Sequence, residues 1–179
     1  MKQGKGVIRK LNRSATASGK LHSAELRRGR EAEPTMCERC GATLTRRVWH
    51  RPSQAKPTHA FFERVSWAIC PACTQVEREE YLGRITIDGD VVRSDGDAIR
   101  RRIHNVAERA EYTQVEHRVV SLDEVDGKLV VLTTSQKLAH RIVHELKKAF
   151  GGRASYQWLD DGCLEARWSA TTRRAAAGA

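Results

Sequence analysis

Two Cys-x-x-Cys pairs, Cys37/Cys40 and Cys70/Cys73, are the residues whose types and spacing can do chemistry. Two intervening residues let both sulfurs of a pair turn toward one point. Two such pairs supply the four corners of the closed thiolate tetrahedron that Zn²⁺ prefers. Thiols stay reduced in the cytosol, so metal explains the pattern better than disulfides do. Gly41 lets the chain bend back under the ion after Cys40, and Pro71 stiffens the second pair. The 29 residues from Gly41 to Ile69 exceed the roughly 15 to 20 of the compact four-cysteine pattern. One structural Zn²⁺ on Cys37, Cys40, Cys70 and Cys73 is still the expected cofactor. Four sulfurs leave no open position for water, which favours a folding role over metal catalysis. His50 and His59 lie between the pairs and can replace a sulfur, but the cysteines already complete the shell.

The competing chemistry is dithiol redox. A redox Cys-x-x-Cys opens a helix after a strand, whereas each pair here is expected in a turn-rich stretch. Cys163 is expected as a small buried hydrophobe. The chain has no G-x-S-x-G, no phosphate-binding glycine loop and no H-E-x-x-H, so no catalytic residue is assigned and no enzyme or small-molecule substrate is expected. Asp160-Asp161 reads as a turn, not a carboxylate dyad.

The 179 residues carry a formal charge of +10. Such an excess attracts phosphate-rich partners, RNA first, although a basic surface can also serve only solubility. The cations fall in three groups. Lys2, Lys5, Arg9, Lys10, Arg13, Arg27 and Arg28 lie in an N-terminal stretch with little to bury. Arg46, Arg47 and Arg51 surround Trp49 between the cysteine pairs, and Lys137, Arg141, Lys147 and Lys148 lie on one predicted helix. Guanidinium groups can hold phosphate while an exposed ring such as Trp49 stacks on an unpaired base. Trp67, Tyr156, Trp158 and Trp168 are expected in the core, because alternation within strands is a packing signal. No apolar run approaches the roughly 20 residues of a membrane span. The basic start lacks an apolar segment after it, so a cytoplasmic protein is expected.

These side chains need elements to position them. Residues 1–35 read as a disordered basic tail, with a helical turn forming at Ser23–Arg30 on binding. Residues 36–83 read as a zinc ribbon. Its strands are expected at Leu44–Trp49 and Val65–Ile69, with Pro52 and Pro57 marking a loop between them. Residues 84–169 read as an α+β domain. A strand is expected at Arg84–Ile87, a turn at Asp88-Gly89 and extended chain at Val91-Val92, followed by a helix over Asp97–Ala110 with Ile99, Ile103, Val106 and Ala110 on its inner face. A hairpin turns at Asp126-Gly127. A second helix, capped by Thr134 or Ser135 and ended by Gly151-Gly152, buries Leu138, Ala139, Ile142, Leu146, Ala149 and Phe150. A last hairpin turns at Asp160-Asp161-Gly162. The order β-α-β-β-α-β-β fits two helices on one face of a mostly antiparallel sheet, a ferredoxin-like α/β sandwich with an added strand. Residues 170–179 read as a second disordered tail.

The run Gly127-Lys128-Leu129-Val130-Val131-Leu132-Thr133-Thr134-Ser135, continued by Leu138-Ala139, Ile142, Leu146, Ala149-Phe150 and Gly151, resembles the nonsense-mediated-decay-protein-three family, adaptors of the large ribosomal subunit. In that family cysteine knuckles precede a strand, a Thr-Ser turn and an Ala-containing helix ending in Phe-Gly. The resemblance covers roughly residues 36 to 169 and extends to small uncharacterised bacterial zinc-ribbon proteins of similar length. It implies docking on ribosomal RNA or ribosomal proteins, with Cys37, Cys40, Cys70 and Cys73 matching the family's knuckles. The chain has one set of knuckles and is too short for the additional β-barrel domains of the large adaptors, so subunit export is not carried over.

The expected function is therefore that of a noncatalytic zinc-ribbon RNA-binding protein associated with the ribosome. The alternatives are a zinc-ribbon adaptor between proteins and, third, a DNA-binding regulator, for which no base-reading helix is evident.

Overall fold

A computed structural model of the chain describes residues 35–52 and 63–170. Lys2, Lys5, Arg9, Lys10, Arg13, Arg27, Arg28 and the turn expected at Ser23–Arg30 lie outside the described residues. So do Pro57, His59 and the stretch after Ala170.

The described chain forms two mixed sheets and three helices. The first sheet holds four short strands, β1 (Thr35–Cys37), β2 (Thr43–Thr45), β3 (Val48–His50) and β4 (Ser66–Ala68), in the order β3-β2-β1-β4. Where one strand was expected over Leu44–Trp49, β2 and β3 form a hairpin. Its turn residues Arg46 and Arg47 have φ of 49° and 67°. Arginine gives no sequence signal for that left-handed backbone, which Asn-Gly normally supplies. Strand β4 pairs parallel to β1, with Cys37 opposite Ala68, and this places Cys70 beside the first knuckle.

Cys70 is followed by helix α1 (Pro71–Glu77), with Pro71 at its start, where a missing N–H does no harm. The turn-rich setting expected for this pair is thus corrected: Cys70 is the helix N-cap and Cys73 lies in the first turn.

The second unit follows the expected order: β5 (Gly83–Ile87), α2 (Gly89–Thr113), β6 (Val119–Val125), β7 (Lys128–Thr133), α3 (Gln136–Phe150), β8 (Arg153–Trp158) and β9 (Leu164–Ser169). Its sheet order is β6-β7-β5-β9-β8. A ferredoxin-like plan extended outward in chain order would put β8 beside β5. Instead β9 lies there, parallel to β5, and β8 is the edge.

Both helices pack on one face of this sheet. Ile85, Ile87, Leu129, Val131, Leu164, Ala166 and Trp168 from the strands meet Ile99, Ile103 and Val106 of α2 and Leu138, Ala139, Ile142, Val143 and Leu146 of α3. Val143 joins this stripe and Ala149 is exposed, the reverse of the expected arrangement.

Helix α2 begins well before Asp97. Val91 and Val92, expected in extended chain, are buried in its first segment, which bends at Asp95 (φ −125°, ψ 16°). Asp88-Gly89, expected as a turn, is instead the N-cap and first residue of this helix, and burial of two valines outweighs their β-propensity.

Helix α3 is capped as expected: the Ser135 side chain accepts a hydrogen bond from Leu138 N at 3.2 Å, and Gly151 ends the helix with φ 74°. The Asp126-Gly127 turn has φ of 52° and 72°, the mirror-image geometry that a two-residue hairpin needs.

Candidate metal centre

The first knuckle is a tight turn leaving β1. Gly41 N–H donates to Cys37 O at 2.8 Å and Cys37 N–H to Ala42 O at 2.7 Å. Gly41 completes the turn at φ 71°, a backbone that penalises any Cβ. The second knuckle is built from the end of β4 and the start of α1, and Cys70 N–H donates to Cys37 Sγ at 3.3 Å.

These elements bring the sulfurs of Cys37, Cys40, Cys70 and Cys73 within 4.8 Å of one another. Cys37 and Cys73 lie 3.8 Å apart, and Cys40 and Cys70 lie 3.7 Å apart. Four sulfurs placed about 2.3 Å from a common tetrahedral centre stand about 3.8 Å from each other, so the set fits a zinc ion. These separations are far longer than the roughly 2.05 Å of a disulfide. When zinc is bound it supplies four bonds that tie β1, the first knuckle, β4 and α1 together, with no position left for a substrate.

The thiols are not equivalent in the metal-free chain. Burial alone would raise Cys37, but backbone N–H donors of Cys70, Cys40 and Arg39 outweigh it and lower the thiol to about 6. Burial pushes Cys70 up to about 11, against the donors of its own turn. Cys73 is raised further, by burial and by the neighbouring sulfurs, with Arg118 opposing. A redox pair that opens a helix needs its first cysteine acidified. Here Cys70 moves the other way.

Arg118, at the approach to β6, is a member of the site that the cysteine spacing did not reveal. Its Nη1 lies 3.4 Å from Cys73 Sγ, its Nη2 pairs with Glu111 Oε1 at 3.0 Å, and its Nε donates to Val115 O at 3.0 Å. Burial works against the guanidinium charge, but Glu111 and the sulfurs of Cys40 and Cys73 outweigh it and raise its pKa. A four-thiolate zinc site carries a net charge of about −2, so a half-buried arginine beside it offsets part of that charge. Arg118 lies five residues past the end of α2, and nothing in its local sequence marks it as a partner of the sulfurs.

The remaining expected site residues divide. Arg46 and Arg47 are exposed at the β2–β3 tip, and Arg51 lies over the Tyr112 ring at 4.1 Å. Trp49, read as a stacking platform, is half-buried against the cysteine cluster. Lys137, Arg141, Lys147 and Lys148 are exposed on α3. Trp168 is fully buried, as expected. Trp67, Tyr156 and Trp158, also expected in the core, are 51%, 40% and 66% exposed. Each of these three lies on an outer strand, β4 or β8, where half of the environment is water. Cys163 is buried with Tyr81 and Leu132, and His50 is exposed.

Among the described residues no helix is long and apolar enough to cross a membrane. No family model matches the chain, and no curated protein matches it either.

Proposed function

We propose that the chain is a noncatalytic RNA-binding protein of the cytoplasm, associated with the ribosome, in which one structural Zn²⁺ orders the knuckle unit. The observation that carries the reading is the convergence of four sulfurs at tetrahedral separations. The core of that unit has six buried members: three of the cysteines, two alanines and Val115. That is too little apolar surface to offset the entropy of ordering the segment, whereas structural zinc contributes on the order of 10 kcal/mol. Support for RNA comes from the charge of +10 and from exposed cations on the β2–β3 tip and on α3. The resemblance of Gly127–Ser135 and the following helix to ribosomal adaptors supports the ribosome as the partner.

The test has two parts. Reduced, purified protein should contain one zinc per chain, and the protein in lysate should cosediment with ribosomal subunits at low salt and leave them as salt rises. A chain without stoichiometric metal, or one that stays at the top of the gradient with no RNA, defeats the reading. A protein-binding adaptor is the second reading, favoured by the exposed Val48, Trp67 and Ile69 of the knuckle unit. A stoichiometric protein partner that survives nuclease would support it.

A further inference from the structure

Helix α3 presents Lys137, His140, Arg141, His144, Lys147 and Lys148 at spacings of three and four residues, and all six are exposed. They form one stripe along the helix, opposite the buried Leu138, Ile142 and Leu146. From Lys137 to Lys148 the stripe runs about 16 Å. The one acid of α3, Glu145, pairs with Arg102 of α2 at 3.2 Å, and its other oxygen lies 3.9 Å from the His144 ring. Among the described residues, Lys137, Arg141, Lys147 and Lys148 have no carboxylate partner within ion-pair distance.

The edge strand β8 borders this stripe. The Tyr156 ring stacks on His140 with centroids 5.0 Å apart and planes 30° apart. Trp158, two residues on, projects from the same side of the strand. Gln136 Nε2 donates to Gly162 O at 2.6 Å, so the start of α3 is held against the turn that follows Trp158. Trp158 therefore stands near the Lys137 end, next to the His140–Tyr156 pair. At 66% exposed, its ring leaves much of its apolar area in water with nothing in the fold to account for it.

We propose that this face, α3 with the rim of β8, binds single-stranded RNA: the four cations hold consecutive phosphates while Trp158 and the His140–Tyr156 stack receive unpaired bases. The inference rests on the RNA-binding reading above and assigns it a place. Positive charge whose one neighbouring acid, Glu145, is already paired with Arg102 selects a polyanion. Exposed rings beside that charge select unpaired bases over a duplex, whose bases are already stacked and whose deep major groove side chains cannot enter.

The experiment uses the full, zinc-loaded chain and a short fluorescent RNA of mixed sequence, offered as a single strand and as a duplex. The single strand should bind more tightly than the duplex. Trp158→Ala should weaken single-strand binding about tenfold, while Trp158→Phe, which keeps a ring, should retain most of it. Lys147→Gln with Lys148→Gln should lower the salt slope of binding by about 1.4. These side chains are exposed, so zinc content and melting should match the unchanged protein, and both are measured as controls. Equal binding of duplex and single strand, or wild-type affinity in Trp158→Ala, overturns the assignment. If the unchanged protein binds RNA and only these variants are silent, this face is wrong and the RNA reading stands. If the unchanged protein binds no RNA at low salt, both fall.

Discussion

Arg118 Nη1 lies 3.4 Å from Cys73 Sγ, and through this contact the sheet unit reaches into the four-cysteine cluster of the knuckle unit. The same guanidinium is anchored to Glu111 and to Val115 O. It therefore fixes the C-terminal end of α2 and the approach to β6 against the sulfurs.

Replacing Arg118 with Met keeps its apolar stem and removes its charge and donors. Zinc affinity should fall about 10- to 100-fold, the usual effect of losing an outer-sphere partner. Competition with a chromophoric chelator measures this. Unchanged affinity would mean that the contact is only packing.

Gly83 is the close-approach point between β5 and α3. A Cβ there would lie 2.5 Å from Thr133 Oγ1 and 2.6 Å from Ala139 Cβ, both well inside van der Waals contact. Gly83→Ala should destabilise the chain by about 1–3 kcal/mol. Urea denaturation gives the value, and the zinc content should not change.

His117 is buried, and its Nδ1 lies 2.8 Å from the Oγ of Ser135, the N-cap of α3. Burial holds its pKa below 6.5; Lys137 and Arg141 push the same way, and Glu116 opposes them. The folded state thus favours the neutral ring, while the unfolded chain takes up its proton first as pH falls. The contribution is fully present above pH 6.5 and is lost as pH drops from there toward the folded-state value. Unfolding free energies of the zinc-loaded protein and of His117→Gln, measured across this range, should have parallel pH slopes above pH 6.5. Below it the unchanged protein should lose stability faster. Parallel slopes throughout would exclude His117 as the titrating group.

Arg46 and Arg47 hold a left-handed backbone that disfavours residues with a Cβ by roughly 1 kcal/mol each. Arg46→Asn with Arg47→Gly should raise stability by about 1 kcal/mol or more. If the tip also touches phosphate, RNA affinity should fall in the same variant. Thermal melts and RNA titrations read the two effects separately.

The clustering of the four cysteines was legible because its geometry is local: two residues between cysteines suffice to aim both sulfurs, whatever surrounds them. Both turn-defined hairpins and α3 were legible for the same reason, since Asp126-Gly127, Ser135 and Gly151 act within a few residues of themselves. What escaped depends on neighbours distant in sequence. Trp158 and Trp168 occupy similar alternating strands, yet one faces water and the other the core, because β8 is an edge and β9 is not. Nothing within either strand encodes that order. Arg118 joins the sulfurs only through tertiary packing, and α2 was cut short because Asp88-Gly89 and the β-branched Val91-Val92 read as a turn and extended chain, a local preference that burial of the valines overrides.

The inner position of β9 has a consequence for how the molecule is made. Its residues leave the synthetic machinery after every other described strand, yet they must slide between β5 and β8, pairing Gly83 with Leu164 and Trp158 with Leu164 on opposite sides. A nascent chain cut before Leu164 does not merely lose a border. It bares the hydrogen-bonding rim of β5 in the middle of the apolar layer, so such fragments should clump instead of folding as a smaller version of the whole.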